Sequence, residues 1–186
     1  MAEAAKKKAS YDDLFGIPEN MTGEIIDGEL IATPRPSARH SNVEFVLSAR
    51  LGPPYRFAEG GPGGWVILIE QEIMLTDQLL VPDLSGWKKE RFPGVPVKNY
   101  ISVPPHWVCE VLSPGTVGID KVKKMPVYAQ HEIPYLWFVD PLAKTLEVFG
   151  LEAGRWFMLA AFTGAVRVRA EPFREAEIEL ENLWLD

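Results

Sequence analysis

Two β-favouring runs, Glu24-Ile25-Ile26 and Glu29-Leu30-Ile31, flank the dipeptide Asp27-Gly28 near the start of the chain. Asp-Gly tolerates the positive φ that a two-residue turn needs, so 24–31 predicts a β-hairpin. The pattern then lengthens. Val43, Val46, Leu47 and Leu51 recur at three- and four-residue spacing, with Ser37 ahead of them and Gly52-Pro53-Pro54 behind. That is one apolar helix face with an N-cap and a stop, and it predicts a helix over 38–51. Upstream, Ser10 caps a shorter helix through Phe15, stopped by Gly16 and Pro18. Past the Gly60–Gly64 loop the period shortens, and 65–70 and 72–75 read as strands. The segment 79–84 is apolar around Pro82-Asp83, and 91–105 is a Pro-rich irregular loop.

The run 107–112, Trp-Val-Cys-Glu-Val-Leu, is apolar at every position but one. Near-continuous hydrophobicity over that length predicts a central strand covered on both faces. Asp120 can cap a helix reaching about His131, and 135–139 is a further apolar strand. The segments 146–149, 156–162 and 166–169 follow as antiparallel strands, and 178–184 closes the chain. Hairpin, helix, strands, helix, strands is the order of an α/β fold with a mixed β-sheet flanked by helices, not of a regular βαβ array. No repeat or composition shift divides the chain. The expected organisation is a disordered tail over 1–10 and a single domain over 11–186.

Composition narrows the function. No apolar run approaches the roughly 20 residues of a membrane helix, and Lys6-Lys7-Lys8 has no apolar stretch behind it to make a secretory signal. A single cysteine, Cys109, rules out an internal disulfide and points to a reducing cytoplasm. The net charge of −7 argues against a nucleic-acid partner. Its distribution softens the objection: 171–186 hold six acids and one Arg, which leaves only −2 for the first 170 residues.

Two acids stand out because they interrupt apolar segments. Glu110 lies mid-strand, on the face of Val108 and Leu112. A carboxylate there is costly unless it is paired, hydrogen-bonded or bound to metal. Asp83 lies between Val81-Pro82 and Leu84. Brought together, two such carboxylates repel unless a cation neutralises them. Hard oxygen ligands favour Mg²⁺ or Mn²⁺, whereas three histidines without a His-x-x-x-His pair and one cysteine argue against zinc.

These residues stand in an ordered series. It comprises Glu24-Ile25-Ile26-Asp27-Gly28-Glu29-Leu30, His40, Val81-Pro82-Asp83, Glu110-Val111-Leu112-Ser113-Pro114, Asp120-Lys121-Val122-Lys123-Lys124 with Tyr128, and Ile133-Pro134-Tyr135-Leu136-Trp137-Phe138-Val139-Asp140-Pro141. The series resembles the Uma-two family of the PD-(D/E)-x-K restriction-endonuclease-like superfamily, over roughly residues 11 to 185. The resemblance implies a restriction-endonuclease-like fold with an N-terminal hairpin. It also implies a Mg²⁺- or Mn²⁺-dependent endodeoxyribonuclease, with DNA as substrate and a homodimer by analogy. Asp83 and Glu110 would hold the metal, and Glu24 would be a further acid.

Two positions depart from the superfamily pattern. Leu112 occupies the place of the lysine two residues after the acid. The resemblance implies that the lysine has migrated to the next helix, with Lys124 the aligned candidate and Lys121 and Lys123 as substitutes. Pro126 leaves the phase of that helix open. Glu132 stands where the family shows Gly. A competing reading is a catalytically inactive nucleic-acid-binding or regulatory module on the same fold. Another is a structural interaction protein whose acids are merely paired with lysines.

Overall fold

The computed structural model describes residues 8–94 and 96–185, so most of the expected N-terminal tail, residues 1–7, lies outside the described residues. Ser10 caps a single 3₁₀ segment, Tyr11–Gly16. Strands β1 (Met21–Ile26) and β2 (Glu29–Pro34) form the expected hairpin. Asp27 and Gly28 both have positive φ, 53° and 76°, as the tight turn between them demands. Helix α1 spans Ala38–Leu51, with the Ser37 hydroxyl accepting from the His40 N–H. Then come β3 (Trp65–Ile69), β4 (Ile73–Leu75), β5 (Gln78–Leu80), β6 (Leu84–Lys88) and β7 (Trp107–Val111). A short helix α2 (Met125–Gln130) precedes β8 (Tyr135–Asp140), β9 (Thr145–Glu152), β10 (Arg155–Thr163), β11 (Arg167–Val168) and β12 (Ile178–Glu179).

The main sheet has six strands in the order β10-β9-β8-β7-β6-β3. It is mixed: β7 and β8 run parallel, and the other pairs are antiparallel. A parallel neighbour requires a crossover, and the segment with α2 supplies it. A second sheet, β2-β1-β5-β4, carries the hairpin. This is the mixed α/β architecture that the order of elements predicts. No helix among the described residues is long and apolar enough to cross a membrane.

Strand β7 sits inside the sheet and is buried along its whole length. Its side chains alternate between two cores. Trp107, Cys109 and Val111 pack with Val43, Leu47 and Leu51 of α1 and with the C-terminal residues Phe173, Ile178 and Leu183. Val108, together with Leu112 just beyond the strand, packs with Ile26, Val127, Tyr128 and Phe138. Two-sided burial is why 107–112 reads as an almost unbroken apolar run.

Strand β6 is absent from the sequence reading, which ends its apolar segment at Leu84. The sequence Ser85-Gly86 obscures it. Its glycine fits tight packing: a Cβ on Gly86 would lie 3.2 Å from ring atoms of both Trp107 and Trp65, so the two buried indoles would have to give way by a few tenths of an ångström. The indoles of the neighbouring strands fill the space that a side chain would take.

Candidate metal and catalytic site

The β6–β7 register brings the two singled-out acids together. Leu84 pairs with Cys109, so one step further along the antiparallel ladder sets Asp83 beside Glu110. The Val111 N–H donates to Asp83 Oδ2 at 2.5 Å, tying that carboxylate to the end of β7. Glu110 is 1% exposed and takes the face of Val108 and Leu112, as strand alternation requires.

The crossover after β7 decides which lysine faces these acids. Residues Ile119–Lys124 form a widened helical turn, in which the Met125 N–H bonds back to the Asp120 carbonyl, five residues earlier. The regular helix α2 starts at Met125, and Pro126 lies in its first turn, where no N–H is missed. Lys124 thus falls at the boundary and points inward. Its Nζ lies 2.7 Å from Glu110 Oε1, 3.1 Å from Glu24 Oε1 and 3.7 Å from Asp120 Oδ1. Lys121 and Lys123 turn outward to Glu147 and Glu29, at 2.8 and 3.1 Å.

Glu24 reaches the cluster from β1. Its Oε1 also accepts the Val81 N–H at 2.8 Å, which fixes it next to the segment that carries Asp83. Tyr128, one helical turn after Lys124, donates its hydroxyl to Glu110 Oε1. The sequence reading assigns that residue to core packing; its ring does so, and its hydroxyl serves the acid.

On the opposite side of Asp83, α1 contributes two more groups. His40 Nε2 lies 2.8 Å from Asp83 Oδ1 and 3.9 Å from Glu44 Oε1. Sequence reasoning missed Glu44 and took Asp120 only as a helix cap, although both had a signal. Glu44 is three and seven residues before Leu47 and Leu51, which places it on the buried face of α1. Asp120 is one helical turn before Lys124.

Glu24, His40, Asp83, Glu110, Asp120 and Lys124 line a cleft of about 320 Å³, shared with Thr22, Arg35, Glu70 and Thr116. Glu44 is not part of the lining but lies close to two residues that are, His40 and Asp83. Five carboxyl groups (Glu24, Glu44, Asp83, Glu110 and Asp120) converge on Lys124 and His40. Burial pushes Glu44 up to about 7, with the Asp83 charge adding to it. Burial likewise raises Asp120 to about 6, against the pull of Lys124 and with the help of Asp83. Burial works against the charge of Lys124, but Glu110 and Glu24 outweigh it and hold the ammonium protonated well above its ordinary range. For His40, burial would lower the pKa; contact with Asp83 and the charges of Asp83 and Glu44 turn the shift upward. An excess of buried carboxyls over cations is the donor chemistry of a divalent-cation site. One observation bears directly on the fit: the buried atoms His40 Nε2 and Glu44 Oε1 lack a hydrogen-bond partner of adequate geometry.

A family profile described as "Uma2: Putative restriction endonuclease" matches residues 9–181. The fold is shared with a crystal structure described as a putative nuclease belonging to DUF820 from Anabaena variabilis. The TM-score is 0.74 and the identity 21%, over 93% of this chain and 96% of that one. No curated protein sequence matches. With the profile spanning nearly all of its length, the chain belongs to the Uma2 family of putative restriction endonucleases.

Proposed function

We propose that this protein is a metal-dependent nuclease that hydrolyses phosphodiester bonds in DNA. One observation carries the reading: Lys124 stands 2.7 Å from Glu110, and Asp83, one residue ahead of the Leu84–Cys109 pair, lines the same cleft. Two acids and a lysine meet in one cleft, which supports that role for them, while Leu112, 4% exposed, is spent on the apolar core. Asp83 and Glu110 would hold Mg²⁺ or Mn²⁺. Such an ion, when bound, polarises a phosphate oxygen and lowers the pKa of a coordinated water.

The chain's own groups do the rest. Lys124 supplies a permanent positive charge at the cleft floor, suited to orienting a water and offsetting charge on a phosphorane-like transition state. Glu24, anchored by the Val81 N–H, and Tyr128, through Glu110, keep that ammonium in place. Recognition would rest on the phosphate backbone and on DNA shape. The same proposal puts the protein in a reducing cytoplasm, with Cys109 free and buried, and acting on duplex DNA as a homodimer.

The test is incubation with linear, supercoiled and single-stranded DNA in Mg²⁺, Mn²⁺ or EDTA, alongside Asp83→Ala, Glu110→Ala and Lys124→Ala. Metal-dependent cutting that all three variants lose supports the nuclease. DNA binding without cutting on any substrate would make the chain an inactive binding module instead.

A further inference from the structure

The side of the cleft formed by α1 is not used by the acid–acid–lysine set. His40 and Glu44 are one helical turn apart, so their side chains stack on one face of α1. That face meets Asp83 at the start of β6. One donor atom from each of the three residues lies within 4.8 Å of the others. Glu44 is 7% exposed, and its Oε1 is both buried and without a hydrogen bond. His40 Nε2 contacts Asp83 Oδ1 at 2.8 Å without the alignment of a donated N–H.

A buried carboxylate oxygen without a partner is destabilising. This one is held in the middle of a well-packed helix, beside His40 Nε2, whose 2.8 Å contact with Asp83 is poorly aligned for a hydrogen bond. Both atoms face the same carboxylate. A shared cation would satisfy all three groups at once. The spacing agrees: metal–ligand bonds of about 2.1 Å put neighbouring octahedral ligands about 3.0 Å apart and opposite ones about 4.2 Å apart. The observed separations of 2.8 and 3.9 Å lie close to that pair of values. Glu110, by contrast, already has Lys124 and Tyr128 as partners.

We infer that His40, Glu44 and Asp83 form a divalent-cation seat on the α1 side of the cleft, with one nitrogen and two oxygen donors, and that Glu44 is a ligand of the ion shared through Asp83. The inference rests on the metal-dependent reading above and extends it to the ion's identity. Carboxylates alone suit Mg²⁺ and Mn²⁺ about equally, whereas an imidazole favours a transition ion. The seat therefore prefers Mn²⁺ to Mg²⁺.

The experiment is Mn²⁺ binding to the whole protein, measured by titration calorimetry and by pulsed electron paramagnetic resonance, with Mg²⁺ as competitor. Wild type is compared with Glu44→Gln, His40→Gln and Glu110→Gln, and circular dichroism establishes that each variant is folded. The expected result is bound Mn²⁺ with a nitrogen hyperfine coupling in wild type. The coupling disappears in His40→Gln, and affinity falls at least about tenfold in Glu44→Gln. The wild-type coupling needs no variant, so the inference is tested even if a substitution unfolds the chain. Mn²⁺ bound without nitrogen coupling, with Glu44→Gln unchanged and Glu110→Gln weakened, overturns the α1 seat and leaves the Asp83–Glu110 site standing. Failure of wild type to bind either ion overturns both.

Discussion

Lys124 Nζ and Glu110 Oε1 lie 2.7 Å apart, each at most 2% exposed, across the gap between the crossover helix and the central strand. The pair joins two elements that share no backbone hydrogen bonds, and it stands on the face of β7 where Leu112 offers only apolar surface. A buried ion pair gains little over a well-packed apolar pair, but breaking one side of it is costly.

Lys124→Met should therefore destabilise the fold by about 3–5 kcal/mol, because Glu110 and Glu24 are left buried without their cation. The double variant Lys124→Met with Glu110→Gln should recover part of that loss, because the two residues are directly coupled. Urea unfolding of the two single variants and the double one measures this. Strict additivity would mean that the pair is not the source of the cost.

Asp120 makes stability depend on pH in a definite direction. Its carboxyl is raised from an ordinary 3.8 to about 6 in the folded state, chiefly by burial, against the pull of Lys124. Between those values the folded chain binds the extra proton, so stability falls as pH rises through this window and levels off above it. The contribution is about 3 kcal/mol. Asp120→Asn cannot titrate, so its advantage over wild type should grow from pH 4 to pH 7 in metal-free buffer. Thermal melts across that range check it; parallel curves for the two proteins would exclude Asp120 as the titrating group.

Glu132 ends the α2 region in the left-handed conformation, φ 54°. That geometry costs an L-residue with a side chain about 1–2 kcal/mol and costs glycine nothing, although glycine loses more entropy on folding. Glu132→Gly should thus stabilise the protein by on the order of 0.5–1 kcal/mol while leaving the cleft unchanged. Chemical denaturation reads the sign directly. A destabilised Glu132→Gly would show that the glutamate side chain contributes more than its backbone strain costs.

Much of the fold is written in local pattern. The hairpin follows from Asp27-Gly28, whose positive φ angles no tertiary contact needs to impose. Helix α1 follows from its apolar period together with Ser37 and Gly52, and β7 from a run of hydrophobic residues that only two-sided burial explains. Glu110 and Asp83 are legible for the same reason: a charge inside an apolar run must have a partner. β6 is not legible, because its Gly86, against which two indoles from neighbouring strands pack closely, has low strand propensity of its own.

The partners of these acids are a matter of three dimensions. Three lysines lie within four residues, and a phase difference of one residue rotates a side chain by about 100° around a helix. The widened turn before Pro126 sets that phase and turns Lys124 inward, which no residue count reveals. Glu44 and His40 share a face from their spacing alone. That Asp83 arrives opposite them depends on strand register and on how α1 packs against the sheet. Local sequence sets conformation because backbone sterics and hydrophobic period act over a few residues. The site is decided by tertiary structure because its electrostatic contacts join groups up to about a hundred positions apart, such as Glu24 and Lys124.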